Sequence, residues 1–116
     1  MTFICHPTCT TCKKARAFLE ERGAEFEIRD IRTENPSAEE LLRWKNISGL
    51  PMKRFFNTSG MQYRALELSA KLPSMSEEEQ LTLLASDGML VKRPILVGDG
   101  FVLVGFRAAE WEARFQ

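Results

Sequence analysis

Cys9-Thr10-Thr11-Cys12 is the stretch that decides the fold, because it separates two segments of different periodicity. The apolar run Thr2–Cys5 before it is typical of a strand, and the apolar residues of Lys13–Arg22 after it recur at helical spacing. We therefore predict the two sulfurs where a strand gives way to a helix, with Cys9 at or just before the first turn. Backbone N–H groups are unpaired at a helix start and the helix dipole is positive there, so a thiolate is stabilised.

The composition limits the classes of protein to which the chain can belong. Its 116 residues are enough for one domain with one core, and we predict a single domain over 1–116. The 16 basic and 16 acidic residues cancel, which argues against direct binding of nucleic acid. The sequence shows neither a signal region nor an apolar run of membrane-spanning length. Three cysteines, two of them in one CxxC, do not make the disulfide framework of a secreted protein, so we expect a cytoplasmic location.

The order of predicted elements is β-α-β, then helices, then β-β-α. Glu25–Ile31 alternates apolar and charged residues, which predicts a second strand parallel to the first. A helical insertion is expected over about 36–90. The apolar runs Pro94–Val97 and Phe101–Val104 flank an Asp-Gly turn and predict a hairpin. The final helix is predicted over Ala108–Phe115.

Local signals divide the insertion into helices. Two serine–glutamate pairs have the spacing of a capping box, Ser37 with Glu40 and Ser76 with Glu79. Each pair predicts that a helix follows its serine. Another short helix is predicted over Arg64–Lys71. The insertion contains no repeat and no linker-like stretch, so we treat it as part of the same domain.

Two stretches resemble the signature segments of the ArsC/Spx family, the arsenate reductase-like proteins. They are His6–Ala15, which contains the CxxC, and Lys92-Arg93-Pro94-Ile95. Gly49–Pro51 and Phe55–Gly60 extend the resemblance over nearly the whole chain. It implies an α/β fold, a thioredoxin-like mixed four-stranded sheet with a helical insertion between the second and third strands. It also implies a cis peptide bond before Pro94.

Cys9 is the candidate nucleophile of a thiol-disulfide redox protein, attacking a disulfide sulfur or an oxidised arsenic centre. Cys12 is the candidate resolving thiol, which releases a mixed disulfide by closing a Cys9–Cys12 bond. Two other interpretations remain open: cysteines that pack as small hydrophobes under the helix, or a zinc site built from Cys5, His6, Cys9 and Cys12. Structural zinc sites usually take paired ligands from separated segments, so we predict no metal.

Four further residues are candidates for binding substrate or tuning the thiolate. Arg93 can lower the pKa of Cys9 and bind an oxyanion in bidentate fashion, and the resemblance implies arsenate as that oxyanion. The alternative is an ordinary surface arginine. The resemblance places Pro94 where it leaves the preceding backbone free to pair with an extended substrate. Thr8 and Thr10 can donate hydroxyl hydrogen bonds to the thiolate, or they can cap the helix.

The chain departs from arsenate reductases in its other arginines. Those enzymes bind the oxyanion with two more arginines, whose positions fall at Asn57 and near Gly105, while Arg54 and Arg107 lie close by in sequence. Arsenate reductases also generally lack a cysteine at the position of Cys12 and depend on external glutaredoxin. We therefore favour a thiol-disulfide function within the family.

The CxxC also resembles that of Spx-type regulators, in which the disulfide switches binding to the RNA polymerase alpha subunit. Gly49 falls near their polymerase-contacting glycine, although a loop glycine explains it equally. A redox-switched regulator is therefore the alternative function. For the enzyme, the expected partners are a thiol reductant such as the glutaredoxin or thioredoxin system. No cofactor is required beyond glutathione or another small thiol as co-substrate.

Overall fold

A four-stranded mixed sheet forms the centre of the computed structural model, which describes residues 1–115. The strands are β1 (Thr2–Cys5), β2 (Glu27–Asp30), β3 (Ile95–Val97) and β4 (Val102–Val104). Their order in the sheet is β2-β1-β3-β4. β1 runs parallel to β2 and antiparallel to β3, and β3 and β4 form an antiparallel hairpin. The predicted α/β fold with a mixed four-stranded sheet is confirmed.

The helices lie after β1, between β2 and β3, and after β4. Within residues 1–115 they are α1 (Thr10–Glu21), α2 (Ala38–Ser48), α3 (Met61–Ala65), α4 (Leu68–Lys71), α5 (Glu77–Ser86) and α6 (Ala108–Arg114), with 3-10 turns at Met52–Phe55, Leu72–Ser74 and Gly88–Leu90. The segment between β2 and β3 is thus helical, as predicted. No helix of the described chain is both long and apolar enough to cross a membrane.

Both predicted capping boxes form, but one predicted helix is interrupted. The hydroxyls of Ser37 and Ser76 each accept a hydrogen bond from the backbone N–H three residues on, at 3.1 Å. The single helix predicted over Arg64–Lys71 is wrong. Glu67 adopts a left-handed conformation with φ of 53°, so α3 ends before it and α4 begins after it.

The core has two parts, one on each face of the sheet. Successive residues of a strand point to opposite faces, and Phe3 and Ile4 of β1 accordingly belong to different clusters, both fully buried. Ile4 packs with the insertion, whose buried aromatic residues are Trp44, Phe55, Phe56 and Tyr63. Phe3 packs under α1 and α6 with Cys12, Ala15, Phe18, Leu19, Leu96 and Trp111. The helix that carries the two sulfurs is therefore fixed against one face of the sheet.

An ion pair joins β2 to the first helix of the insertion. Arg29 donates Nη1 and Nη2 to the two carboxylate oxygens of Glu40, at 2.7 and 2.8 Å. Both side chains are mostly buried, with 21% and 27% exposed. The hydrogen bonds from Arg29 lower the pKa of Glu40 to about 2, with a further contribution from the Ser37 cap.

Candidate active site

Cys9 occupies the N-cap position of α1. Its backbone is extended, with φ of −75° and ψ of 124°, and its carbonyl accepts the first hydrogen bond of the helix, from Lys13 N–H at 3.0 Å. The preceding turn is closed by a bond from Cys9 N–H to the His6 carbonyl at 3.2 Å. The predicted position of the sulfur at a strand-to-helix junction is therefore confirmed. Cys9 is half-buried, whereas Cys12 is buried one turn further in.

The surroundings of Cys9 favour its thiolate. Partial burial is the largest single influence and acts to raise the pKa of Cys9. It is outweighed by hydrogen bonds from the Cys12 backbone N–H, the Cys12 thiol, the Thr11 backbone N–H and the Arg93 side chain. The pKa of Cys9 is consequently lowered from its ordinary value. A cysteine at a helix start, with several donor groups around its sulfur, is typically reactive.

Cys12 has the opposite character. Burial raises its pKa to about 12, against the effect of a hydrogen bond from the His6 backbone N–H to Cys12 Sγ at 3.4 Å. Cys5, at the end of β1, is buried in the same cluster, and burial also raises its pKa. All three cysteines are free thiols. One cysteine of the CxxC is therefore suited to be a thiolate, and its neighbour to remain a protonated thiol.

Arg93 lies beside Cys9 and has unused hydrogen-bonding capacity. The Arg93–Pro94 bond is cis, as the family resemblance implied, and the Pro94 carbonyl is held by Gly105 N–H at 2.8 Å. Arg93 Nε and Nη1 are buried and find no hydrogen-bond partner among residues 1–115. Buried donors without an acceptor are costly, so an anion at this position would satisfy them.

The two threonines predicted to assist Cys9 are placed differently from each other. The hydroxyl and backbone N–H of Thr8 both lie against His6 Nδ1, at 3.0 and 3.2 Å. Thr10 is the exposed first residue of α1. Their role toward the thiolate stays a prediction. The backbone N–H groups of Thr11 and Cys12 act to lower the pKa of Cys9, as predicted for a helix start, and the group that sequence reasoning did not name is the Cys12 thiol.

A cleft of about 490 Å³ opens over Cys9. The CxxC helix contributes Cys9 and Thr11, and the segment before β3 contributes Met89, Lys92 and Arg93. The insertion contributes Asn57, Ser59, Gly60, Met61 and Gln62. Met61 is 86% exposed. Within the described residues, no group of three or more His, Cys, Asp or Glu side chains is arranged to hold a metal ion.

The two arginines considered as substitutes for the missing oxyanion ligands do not line this cleft. Arg54 and Arg107 instead line an adjoining cleft of about 550 Å³, which shares Thr11 and Lys92 with the first. Asn57, at the position of one expected arginine, does line the cleft over Cys9. Of these three arginines, Arg93 is the one that lines the cleft over Cys9.

Three features together define a thioredoxin-like protein with a dithiol site. They are the order of the strands in the sheet, the CxxC at the N-terminus of α1 and the cis proline before β3. A sequence profile of the ArsC family matches residues 5–114, and the chain belongs to that family.

Similar proteins include an uncharacterized protein and a transcriptional regulator. The uncharacterized protein YusI of Bacillus subtilis is 52% identical, over 99% of this chain and 98% of its own. The global transcriptional regulator Spx of Streptococcus mutans is 26% identical, over 97% of this chain and 81% of its own.

Solved structures agree with the fold over the whole length. An ArsC family related protein from Bacteroides fragilis superposes with a TM-score of 0.95 at 52% identity, covering 99% of this chain and 96% of that one. A possible arsenate reductase from Streptococcus mutans superposes with a TM-score of 0.89 at 44% identity, covering 97% and 96%. The thioredoxin-like fold of the ArsC family is thereby shown.

Proposed function

We propose that the protein is a thiol-disulfide oxidoreductase in which Cys9 is the nucleophile and Cys12 the resolving thiol. The observation that carries this proposal is the asymmetry of the pair. Cys9 is half-buried and neighbouring donor groups lower its pKa, while Cys12 is buried and burial raises its pKa to about 12. A dithiol exchange needs one thiol ionised at the outset and a second that ionises only after the first has reacted.

The reaction follows from this division of roles. The Cys9 thiolate attacks one sulfur of a substrate disulfide, forms a mixed disulfide and releases the other half as a thiolate. Cys12 then loses its proton and attacks Cys9 Sγ, which closes the Cys9–Cys12 bond and releases the second half of the substrate. Two electrons pass from the protein to the substrate disulfide. A small thiol, glutaredoxin or the thioredoxin system returns them, and in a reducing cytoplasm the oxidised form would be transient.

Arg93 and Pro94 complete the proposed site. The Arg93 side chain acts to lower the pKa of Cys9, and its two unpartnered buried nitrogens can hold an anionic substrate group against Cys9. Pro94 shapes the backbone next to the sulfurs. Arsenate is one anion that fits this chemistry, and its reduction by Cys9 with an external thiol is a reaction to be tested beside disulfide exchange. The hydroxyls of Thr8 and Thr10 remain proposed secondary contacts.

A redox titration tests the proposal. Free thiols are alkylated at each potential and read by peptide mass. We expect Cys9 and Cys12 to oxidise together at a midpoint between roughly −300 and −120 mV, the range of thiol-exchange proteins. Cys9→Ser should abolish exchange, Cys12→Ser should trap the mixed disulfide, and Cys5→Ser serves as the control outside the pair. Unchanged reductase activity in Cys9→Ser, with disulfides and with arsenate, would refute the assignment.

A redox-switched regulator is the second candidate function. It is supported by the similarity to Spx over 97% of this chain. Gly49 is exposed, with φ of 71° at the C-cap of α2, and no atom lies within 4 Å of the place a Cβ would take. That surface is open for a partner, although the helix cap alone accounts for the glycine. This candidate is tested by measuring binding of the RNA polymerase alpha subunit to the reduced and to the oxidised protein. Absence of binding in both states rules this candidate out.

A further inference from the structure

The cleft over Cys9 and the cleft that adjoins it have linings of different character. The adjoining cleft is cationic, because four basic residues and no acidic residue of the described chain line it. These basic residues are Lys53, Arg54, Lys92 and Arg107. The cleft over Cys9 carries Met61 and Met89, two of the five methionines of the chain. Within residues 1–115, no aromatic residue and no Val, Leu or Ile lines it, so methionine supplies most of the apolar surface beside the reactive sulfur.

Met61 is far more exposed than the other large apolar side chains at the surface. Its exposed fraction is 86%, whereas the other exposed ones among residues 1–115 range from 37% to 48%. Isolated apolar side chains are common on protein surfaces, but of these residues it is Met61 that lines the cleft over Cys9. Contact between Met61 and an apolar group of a ligand would remove both from water, which is favourable.

The turn before Met61 fixes its backbone at the cleft. Met61 is the first residue of α3, and the preceding Gly60 N–H donates to the Asn57 carbonyl at 3.1 Å. A Cβ on Gly60 would lie 2.6 Å from Asn57 Nδ2, so this turn is tightly packed. The attachment point of the Met61 side chain is therefore defined, while its rotatable bonds let the thioether adapt to what it contacts.

Met89 reaches the same cleft from another part of the chain. It lies in the 3-10 turn Gly88–Leu90 and is partly buried. Its backbone N–H donates to Asp87 Oδ1 at 2.9 Å. This turn contacts α3, and the two segments together bring both thioethers to the cleft that contains the nucleophile.

We propose that Met61 and Met89 set substrate specificity by contacting an aromatic or aliphatic group next to the sulfur that Cys9 attacks. The substrate class is thus a disulfide whose cysteine follows an apolar residue. This inference rests on the proposed function and adds its specificity. Methionine suits this role, because an unbranched thioether adapts to groups of different shape and makes favourable contacts with aromatic rings. The chemical step is unchanged: Cys9 bonds to one substrate sulfur, the substrate S–S bond breaks, and the other half leaves as a thiolate.

Two neutral disulfides that differ in one side chain test the inference. They are the disulfide-linked dimers of acetyl-phenylalanyl-cysteine amide and of acetyl-seryl-cysteine amide. Each accepts two electrons from the dithiol and leaves as two thiols. The second-order rate constant for oxidation of the reduced protein is measured with each dimer. It is then divided by the rate constant of dithiothreitol with the same dimer, which removes differences in intrinsic reactivity.

Three variants identify the side chains responsible for the preference. Met61→Gln and Met89→Gln each replace a thioether by an amide of similar length without changing the charge. Ile47→Gln is the matched control, since Ile47 is 44% exposed and lines neither cleft. Wild type and control should favour the phenylalanyl dimer by about three- to ten-fold, the scale of sulfur–aromatic contacts. Each methionine variant should lower this ratio without slowing reaction with the seryl dimer, whereas a folding defect would slow both.

The outcomes separate this inference from the proposed function. A ratio near one in wild type, or the same ratio in Met61→Gln and Ile47→Gln, overturns the inference while dithiol exchange stands. An unchanged ratio in Met89→Gln overturns the role of Met89. If neither dimer oxidises Cys9 and Cys12, the proposed function fails, and the inference that rests on it fails as well.

Discussion

Replacing Arg93 by glutamine should slow alkylation of Cys9 at pH 6 to 7, by at most about ten-fold. Hydrogen bonds to charged groups contribute about 1.5–3 kcal/mol, and the lower end is an upper bound here because Cys9 is partly open to solvent and Arg93 contributes least among the groups that lower its pKa. About 1.4 kcal/mol is one factor of ten in the thiolate fraction. Since Arg93 acts to lower the pKa of Cys9, its loss raises that pKa. The rate difference should therefore be present at pH 6 to 7 and disappear once the thiol is fully ionised.

Cys12 provides an internal reference for the same measurement. Burial raises the pKa of Cys12 to about 12, so its thiol is almost entirely protonated at pH 7. Because the pKa of Cys9 is lowered instead, the thiolate population of Cys9 should greatly exceed that of Cys12. Cys9 should therefore be the first residue labelled, with Cys5 and Cys12 far behind.

The assay is a time course of iodoacetamide labelling from pH 5 to 10, with each cysteine peptide read by mass. Lys14→Gln is the matched control, since Lys14 is an exposed cation on the same helix that is not among the groups acting on Cys9. Equal labelling of Cys9 in the Arg93→Gln and Lys14→Gln variants would show that Arg93 does not stabilise the thiolate. Faster labelling of Cys12 than Cys9 in wild type would refute the assigned roles of both cysteines.

Two further predictions concern stability. Glu40→Gln should lower the free energy of unfolding at pH 7 by about 2 kcal/mol. Arg29 depresses the pKa of Glu40 from 4.5 to about 2, so wild type should lose this advantage as the pH falls from about 4.5 toward 2. Urea titrations in which the two proteins keep a constant difference in stability across that range would contradict the prediction. Gly88→Ala should destabilise by about 2–3 kcal/mol, because a methyl group there would collide with the Ile31 carbonyl oxygen. At Gly49 there is space for a methyl group but φ is 71°, so Gly49→Ala should lower the free energy of unfolding by only about 1 kcal/mol. Equal shifts in melting temperature for the two alanine variants would show that the collision at Gly88 is relieved.

Sequence reasoning was most accurate where the governing interactions are local. Ser37 and Ser76 cap helices through backbone groups three residues away, so the pattern alone sufficed. The Asp-Gly turn predicted the β3–β4 hairpin for the same reason. The left-handed Glu67 carries no such signal, because glutamate has no preference for that conformation, and the helix break was missed.

The strand β2 shows how tertiary position overrides a pattern. Alternating apolar residues predicted the strand correctly, yet Ile28 is 48% exposed. β2 lies at the edge of the sheet, and its position there is set by the pairing of β1 with β3 on the other side. Periodicity identifies a strand, but it does not say which of its faces the rest of the chain covers.

The sequence by itself determined that a CxxC lies at the start of a helix, since a strand, a turn and a helix that follow one another are fixed by short-range geometry. The resemblance to the family pointed to Arg93 and Pro94. Only the tertiary structure decided that two buried nitrogens of Arg93 lack partners, that Cys9 and Cys12 differ in burial, and that a cationic cleft adjoins them. These properties depend on residues 51–58 of the insertion and on residues 92–107, which contain β3 and β4. Both segments are distant in sequence from Cys9 and come near it only in the folded chain.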